Sequence, residues 1–450
     1  MSAPAPATPI PVLGFVLFGG SLSGALVRDV RLANECAARG FPVHVWWAMD
    51  RQHNSGLRAE IRQHWLFNGL RLWNRGFTRG GFESLGKGLN RFFDDRIRAH
   101  GLQKRPKVTT RLMNNLTRLM CEGVEREEVV VKRFAGELQQ HRVTHVLPML
   151  EMLCLWVDAA RRQSQSSQPK YLVTFQGYEL YSTYARALGL EGELYRRLAQ
   201  TVERSDYPAI AVSEDYRHRV HEEVGVPLER LTAIPPGVPA ATRMEADAAR
   251  TLVKSRFFDY DANLPLIAYL GRRDTEKGID LLLYAAKILA QRGKTFQLAI
   301  CGPTLWGDHY GEVCRKIAEE LRIKVMWRRF VADDIRTALF SIAHCVVYPS
   351  IHREPFGMVA AEAAAHGTPA IVPDHGGVAS AIEANGEVAG LRFKSWNSGD
   401  LAEQIARVLD DRDLHKRLSA AGPRVAEYFS IVNLADRVLA HIGLPATPPQ

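Results

Sequence analysis

The chain is expected to be an α/β protein of two domains, each a doubly wound parallel sheet. Three observations lead there. Its 450 residues exceed what one ordinary core accommodates, so two domains are the starting expectation. Short apolar runs of strand length alternate with segments of helical periodicity, the pattern of a parallel sheet covered on both faces. That alternation begins twice, once at Val12 and again at Leu266.

The first start is a continuous apolar run from Val12 to Phe18, closed by Gly19-Gly20-Ser21. Leu26, Val27, Val30, Ala33 and Ala37 then recur at helical spacing, and Phe41 to Trp47 resumes strand character after Gly40. Further buried strands are expected at Tyr171–Phe175, Ala209–Val212, Leu266–Leu270, Phe296–Cys301, Val325–Trp327, Cys345–Tyr348 and Ala370–Val372. The turn-rich stretch Ile234-Pro235-Pro236-Gly237-Val238-Pro239 separates the two starts. It sets the expected organisation: a first domain over 1–240, a second over 241–423, and a final helix over 424–445 that crosses back to the first.

With 46% hydrophobic and 24% charged residues, the composition excludes a disordered or fibrous chain. The formal charge of +9 is unevenly placed. Between Arg51 and Met120 there are 15 Lys+Arg against 4 Asp+Glu, so this segment is basic and the remainder is slightly acidic. Six scattered cysteines form no Cys-x-x-Cys pair and have no neighbouring histidine at metal-ligand spacing, which favours reduced, buried thiols. The opening MSAPAPATPIP lacks a basic region followed by an apolar core, and no apolar run approaches 18 residues. A cytoplasmic protein without signal peptide or spanning helix is the expectation.

Candidate chemistry concentrates in the second half. Glu354-Pro355-Phe356-Gly357-Met358-Val359-Ala360-Ala361-Glu362 places two carboxylates eight residues apart across a helix start. Read as continuous helix from Pro355, this spacing separates them by roughly 12 Å, too far for one ion and suited to an extended ligand. First-turn N–H groups around Phe356 to Met358 offer an anion site between them. The same spacing also fits a solvated Glu354 and a helix-surface Glu362. Gly271-Arg272-Arg273-Asp274-Thr275-Glu276-Lys277-Gly278 follows the strand Leu266–Leu270, where loops of parallel sheets bind ligands. Arg272 and Lys277 there suit a diphosphate, although charged loops are common. Gly19-Gly20-Ser21-Leu22-Ser23-Gly24 and Gly376-Gly377 are turns that let backbone approach a phosphate or sugar.

Taken in order, Gly19-Gly20, Val212-Ser213-Glu214, Ile234-Pro235-Pro236-Gly237-Val238, Gly271-Arg272 with Lys277-Gly278, Pro349-Ser350 with the Glu354/Glu362 element, and Gly376-Gly377 form a recurring series. The series resembles the GT-B retaining transferases of glycosyltransferase family 4. The resemblance runs from about Val12 to Ile442 and is most specific from Ala343 to Leu391. It implies two Rossmann-like domains facing across a cleft, a nucleotide-diphosphate sugar held mainly by the second, and a glycan, lipid-linked or small-molecule acceptor held mainly by the first. By this likeness Arg272 and Lys277 hold the donor diphosphate, Glu354 meets the sugar hydroxyls and Glu362 the ribose. Gly19, Gly20, Phe356, Gly357 and Met358 complete the donor site. The resemblance further implies transfer of a hexose-type sugar with retention, without a metal or other cofactor. Glu354→Ala and Lys277→Ala are expected to abolish transfer while folding survives.

Two departures stand out. Where many relatives carry a histidine in a Thr-x-His-Gly context, this chain has Thr174-Phe175-Gln176-Gly177. Gln176 remains a candidate contact to donor or acceptor but cannot titrate, which leaves a catalytically silent sugar-nucleotide-binding or partner protein as the alternative. His352, His366 and His375 flank the donor elements and are weaker candidates. The second departure is the basic segment 58–79, where Arg58, Arg62, Arg71, Arg75 and Arg79 recur near helical spacing among Ile61, Trp65, Leu66, Leu70, Trp73 and Phe77. Within a helical insertion over about 51–120, it fits either a helix on an anionic membrane surface or a helical excursion with a solvated basic face. Peripheral association with the inner face of a cytoplasmic membrane is the former's consequence. Nucleic acid is not expected as a partner, since no recognised binding fold surrounds the patch. An NAD-dependent oxidoreductase lacks its glycine fingerprint here and leaves the Glu354/Glu362 element without a role.

Overall fold

In the computed structural model the described residues are 9–18, 23–48, 56–66, 107–164, 168–241, 243–304 and 308–449. They divide into two compact units. The first comprises Met1–Ala211, Arg217–Ile234 and Ala435–Gln450; the second comprises Val212–Tyr216 and Pro235–Leu434.

In the first unit, the strands β1 (Leu13–Leu17), β2 (Val43–Trp47), β3 (Arg62–Trp65), β4 (His145–Pro148) and β5 (Lys170–Tyr171) form a sheet of order β3-β2-β1-β4-β5. All its pairings are parallel. β1 and β2 are buried along their whole length, which is why they read as uninterrupted apolar runs. Ser23 opens the intervening helix Gly24–Ala38, its Oγ accepting from the Leu26 N–H at 3.2 Å. A second parallel group consists of β6 (Thr174–Phe175), β7 (Ala209–Ala211) and β8 (Leu231–Ala233). The expected strand Tyr171–Phe175 is therefore one extended run that changes partner midway. Leu172 N–H donates to Val146 O, whereas Val173 O accepts from Ile210 N–H.

Three expectations are corrected. Arg62–Trp65 is a strand paired to β2, so the start of the basic segment is not helical; residues 67–106, which carry the rest of it, lie outside the described residues. Helical spacing of arginines misled because a half-exposed edge strand tolerates the same polar residues. The final segment is two helices, Arg412–Tyr428 and Ile431–His441, not one over 424–445. Their break holds the Pro-rich linker: Val238 N–H donates to Phe429 O at 2.7 Å, and Val238 O accepts from Ile431 N–H at 3.1 Å. The helix expected to start at Pro355 starts at Met358.

In the second unit, β9 (Leu266–Leu270), β10 (Gln297–Cys301), β11 (Val325–Arg328), β12 (Cys345–Val347), β13 (Ala370–Pro373) and β16 (Gly390–Phe393) form a parallel sheet of order β11-β10-β9-β12-β13-β16. A short hairpin, β14 (Glu383–Ala384) with β15 (Glu387–Val388), precedes the last strand. The helix Ile279–Gln291 buries Ile279, Leu282, Leu283, Ala286 and Leu289, one face at helical spacing, in a core shared with Ile267, Leu298, Leu401 and Ile405. Strand order reverses direction between β9 and β12, the point at which open α/β sheets bind ligands. All six cysteines are buried and free, as their scattered placement suggests. Among the described residues no helix is long and apolar enough to cross a membrane.

Buried acids mark the first unit. Glu151, fully buried at the start of helix Glu151–Gln163, accepts a long 3.4 Å bond from Gln176 N–H at Oε2, and among the described residues its Oε1 has no hydrogen-bond partner. Burial pushes its carboxyl up to about 8. The folded chain therefore binds one more proton at Glu151 than the unfolded chain between 4.5 and about 8, so this contribution is complete below 4.5 and is lost as pH rises through 8. Urea unfolding is expected to show stability falling from about pH 6 to about pH 9, and Glu151→Gln, neutral throughout, to flatten that fall. Identical pH slopes for parent and variant would refute it.

Candidate active site

The second unit brings together three loops at the carboxyl ends of the adjacent strands β9, β12 and β13. The first, Gly271–Gly278, ends in a short 3₁₀ turn, Thr275–Lys277. Gly278 caps the following helix with φ +61°, and a Cβ there would lie 2.2 Å from Pro349 O, so the first loop touches the second too closely for any side chain. Ile351 N–H donates to Glu276 O at 3.1 Å, and Ser350 Oγ lies 3.0 Å from the same carbonyl. The third loop packs on the second through Gly377, whose N–H donates to Glu354 O at 2.8 Å.

These contacts bury Lys277 against Glu354. Lys277 Nζ donates to Glu354 Oε1 at 2.5 Å and to the Tyr348 hydroxyl at 3.2 Å, with both charged side chains 9% exposed. Ser350 Oγ adds a second bond to Glu354 Oε1 at 2.6 Å. Burial alone would raise the Glu354 carboxyl, but the Lys277 charge, its hydrogen bond and that of Ser350 outweigh it and hold Glu354 below the ordinary glutamate value. The result is a desolvated carboxylate–ammonium pair. Among the described residues two of the three Lys277 donors are taken, leaving one for a ligand.

Arg272 stands beside this pair. Nη1 donates to Asp274 Oδ2 at 2.5 Å and Nη2 to Glu276 Oε1 at 2.9 Å, while its side chain stays 31% exposed. Tyr269 hydroxyl holds the Arg272 carbonyl. Arg273, next in sequence, is buried within the unit instead, with Nε on Gly302 O at 2.8 Å and Nη2 3.2 Å from Asp308 Oδ1. Of the two arginines only Arg272 is placed for a ligand.

The Glu354/Glu362 element has a different local form from the one its spacing suggests. Glu354 lies in the loop before the helix Met358–Ala365, with Gly357 as N-cap at φ +93°. The axial 12 Å separation of a continuous helix does not apply. Gly357 cannot be replaced without collision, since its Cβ would fall 2.5 Å from Val378 Cγ2. Phe356 is buried with its ring 5.2 Å from that of Phe429. Gly357 and Phe356 thus fix the entry of the helix, whose first N–H groups, from Met358 onward, lack intrahelical acceptors. Glu362 is buried on the helix and paired with Arg336, which stacks over Phe340. His366 is held by Glu362 O at 2.8 Å and stacked on Phe340, and His375 Nδ1 lies 2.6 Å from Ser395 Oγ.

A clamp that sequence reasoning did not assign comes from Ser213 and Asp215. Ser213 Oγ donates to Pro355 O at 2.7 Å, and Arg353 meets Asp215 through Nε and Nη2 at 2.7 to 3.1 Å. The sequence singled out Val212-Ser213-Glu214 without a role; Ser213 buttresses the Glu354 loop. Tyr348 was likewise missed, being read only as the end of a strand. Gln176 belongs to the first unit, where its amide donates to Asp29 Oδ2 and to Met149 O, both at 2.6 Å. Burial raises Asp29 to about 6 against the opposing effects of Arg28 and Gln176. Gly19 and Gly20 lie outside the described residues.

Two consequences are measurable. A Cβ on Gly377 would lie 1.9 Å from Pro355 O and 2.4 Å from Ser213 Oγ. Gly377→Ala is expected to cost about 1–3 kcal/mol in urea unfolding through overpacking, and a neutral result would show that the loop is not held as described. Removing one member of the Lys277–Glu354 pair leaves the other charge buried and uncompensated, a loss of about 3–5 kcal/mol. The expectation that folding survives Lys277→Ala or Glu354→Ala unchanged is therefore revised to a marked fall in melting temperature for each.

Comparison with known proteins adds the family context. The family model described as glycosyl transferases group 1 matches residues 255–425, which contain the Lys277–Glu354 pair. Mannosylfructose-phosphate synthase of Agrobacterium fabrum is 27% identical over 289 residues, 62% of this chain and 60% of that protein. D-inositol 3-phosphate glycosyltransferase of Rhodococcus erythropolis is 30% identical over 247 residues, 53% and 54% of the two chains. The match thus spans a little over half the length of these curated relatives. Among solved structures, Anabaena HepE in complex with UDP and glucose superposes with a TM-score of 0.69 at 15% identity, covering 96% of this chain and 99% of that one. Sucrose-phosphate synthase from Thermosynechococcus elongatus gives 0.70 at 18% identity over 96% and 98%. At such identities the structural likeness speaks for the fold. The chain has the GT-B fold of two parallel-sheet α/β domains, and its residues 255–425 match the glycosyl transferases group 1 domain.

Proposed function

We propose that the protein is a glycosyltransferase that moves a hexose-type sugar from a nucleotide-diphosphate donor to an acceptor hydroxyl, with retention and without a metal. The observation that carries this reading is the desolvated Lys277–Glu354 pair at the β9/β12 switch point, with Arg272 beside it. A relative named mannosylfructose-phosphate synthase and another named D-inositol 3-phosphate glycosyltransferase support sugar transfer, and a structural neighbour in complex with UDP and glucose supports a nucleotide-sugar donor.

The chemistry follows from charge development. When the anomeric carbon–oxygen bond breaks, the sugar becomes oxocarbenium-like and the diphosphate gains negative charge. Preorganised cations in a dry site stabilise that charge most effectively. Lys277 supplies a fixed ammonium with a donor to spare, and Arg272 a more exposed fork. Glu354, kept ionised and oriented by Lys277 and Ser350, accepts hydrogen bonds from sugar hydroxyls. In this reading the first-turn N–H groups of the helix beginning at Met358 face donor phosphate or sugar, and Glu362 meets the ribose by exchanging with or sharing Arg336. A double displacement using both carboxylates is disfavoured, because such pairs stand about 5–5.5 Å apart across the reacting bond. Glu362 is instead paired with Arg336 of the helix Asp333–Ile342. Front-face transfer remains, with the departing phosphate assisting removal of the acceptor's proton.

Arg272→Gln is the kinetic probe, and because it also strips the buried Asp274 carboxylate of a cation, it is expected to lower the melting temperature as well as turnover, the latter about 10²- to 10³-fold when read at a temperature where the variant is folded. Unchanged turnover would remove Arg272 from the mechanism. A thermal-shift panel of UDP-, GDP-, ADP- and TDP-sugars identifies the donor: one present at 100-fold its Kd is expected to add about 2.7 kcal/mol of stability. Absence of any stabilisation, together with absence of transfer and of donor hydrolysis, would overturn the assignment.

A further inference from the structure

Three histidines far apart in sequence meet in the first unit. His44 lies on β2, His64 on the edge strand β3, and His141 caps the end of helix Glu128–Gln140. In the parallel register His64 stands opposite Trp46, so His44 and His64 project from the same face of neighbouring strands. Their rings are nearly coplanar, with centroids 5.1 Å apart at 6°, and His44 Nδ1 lies 2.9 Å from His64 Nε2. The His141 ring lies 4.7 Å from that of His44 and 4.5 Å from that of His64. One ring nitrogen from each residue falls within 4.8 Å of the other two.

We propose that His44, His64 and His141 bind one zinc ion, which ties the edge strand β3 to β2 and to the end of helix Glu128–Gln140. Ligand chemistry and geometry favour it. Neutral imidazole is a preferred zinc donor, and three of them with an open fourth position form a recurrent zinc site. Zinc–nitrogen bonds of about 2.0–2.1 Å place tetrahedral ligand atoms about 3.4 Å apart. The 2.9 Å between His44 and His64 is already close to that value, and both nitrogens are directed at one another, so an ion inserting between them replaces an existing N–H···N bond. Whichever of His44 and His64 donates that bond shifts its proton to its other ring nitrogen, so both rings then carry their single N–H facing away from the ion and their proton count is unchanged. His141, half-buried at a helix end, needs the larger adjustment.

The surroundings are built to hold the rings. Trp46 lies flat against His64 at 4.7 Å and 21°, Phe134 meets Trp46 edge-on at 5.7 Å, and Trp46 Nε1 donates to Glu137 Oε2 at 2.8 Å. His44 is buried, whereas His64 and His141 are each partly exposed, which leaves an approach for the ion and a solvent oxygen as fourth ligand. An ion at this point also explains how a four-residue edge strand of sequence Arg-Gln-His-Trp, poor in apolar residues, is pinned to the sheet. This site belongs to the first unit and is separate from the Lys277–Glu354 chemistry in the second.

The test uses the full-length protein stripped with a chelator and titrated with zinc against a chromophoric competitor, with cobalt as a spectroscopic substitute. One zinc per chain, a raised melting temperature and a cobalt band of nitrogen-ligated tetrahedral intensity are expected. His64→Gln and His141→Gln should each weaken zinc at least about ten-fold and abolish the thermal shift. His415→Gln, which alters the His344–His415 ring pair of the second unit, should leave both unchanged. Circular dichroism checks that each variant is folded, and the parent titration stands independently of them. A parent that fails to compete for zinc, or His64→Gln and His141→Gln variants that bind as the parent does, would overturn the proposal.

Discussion

A lysine and a glutamate buried together are the constraint around which the second unit is arranged. Neither Lys277 nor Glu354 tolerates burial by itself, since desolvating one charge costs several kcal/mol. The surrounding structure exists in a form that keeps them matched: Ser350 on one oxygen of Glu354, the Tyr348 hydroxyl on Lys277, and a turn that aims the ammonium inward. Such a pair contributes little net stability compared with a hydrophobic substitute, so its presence at a strand-order reversal argues for use on a ligand. A water-poor pair also has a strength that an exposed pair lacks, because its field is unscreened.

Keeping the pair matched requires three loops to stay in contact to within fractions of an ångström, and glycines make this feasible. Gly278, Gly357 and Gly377 each occupy a position where a Cβ would overlap a neighbouring loop. The closeness converts motion of one loop into motion of all three. Ser213 and Asp215 reinforce the same assembly from a segment that is distant in sequence but belongs to the second compact unit. Arg272 is the contrasting element, its guanidinium bonded among the described residues to two carboxylates of its own loop and 31% exposed.

Legibility in the sequence followed burial. β1, β9, β10, β12 and β13 lie inside parallel sheets, and continuous apolar runs announced each of them closely. β3, β4 and β16 were not anticipated, because a strand containing His, Arg, Pro or Gly, such as His145–Pro148 or Gly390–Phe393, carries no clean run to read, and β8, Leu231–Ala233, is only three residues with a Thr at its centre. Arg62–Trp65 was misread as helical for a related reason: four residues are too few for period two to dominate over chance spacing. In the site, Arg272, Lys277 and Glu354 stood out from their place after apolar strands and from the family resemblance, and the fold brings them together. What spacing could not supply was the helix start. Gly357, adopting a left-handed conformation, delays it to Met358 and leaves Glu354 in a loop free to turn back toward Lys277. The three-histidine group was invisible for the most general reason, that residues 44, 64 and 141 are joined only by sheet register and a helix end.

The two units solve the problem of buried acid in opposite ways, and the contrast bears on where chemistry resides. In the second, Glu354 is buried with its counter-ion, which holds its carboxyl below the ordinary glutamate value against the opposing effect of burial. In the first, Glu151 is buried with no cation on either oxygen among the described residues, and Asp29 relies on Arg28 and the amide of Gln176; both are raised, to about 8 and about 6. Gln176 is the hinge of this arrangement, since a glutamine can donate to Asp29 and Met149 O together without titrating. A histidine in its place would bring its own charge change beside two acids that already titrate near neutrality. Glutamine at this position carries no such coupling, so protonation at Asp29 and Glu151 is set mainly by burial, whereas at Glu354 the charge and hydrogen bond of Lys277, with the bond from Ser350, outweigh burial.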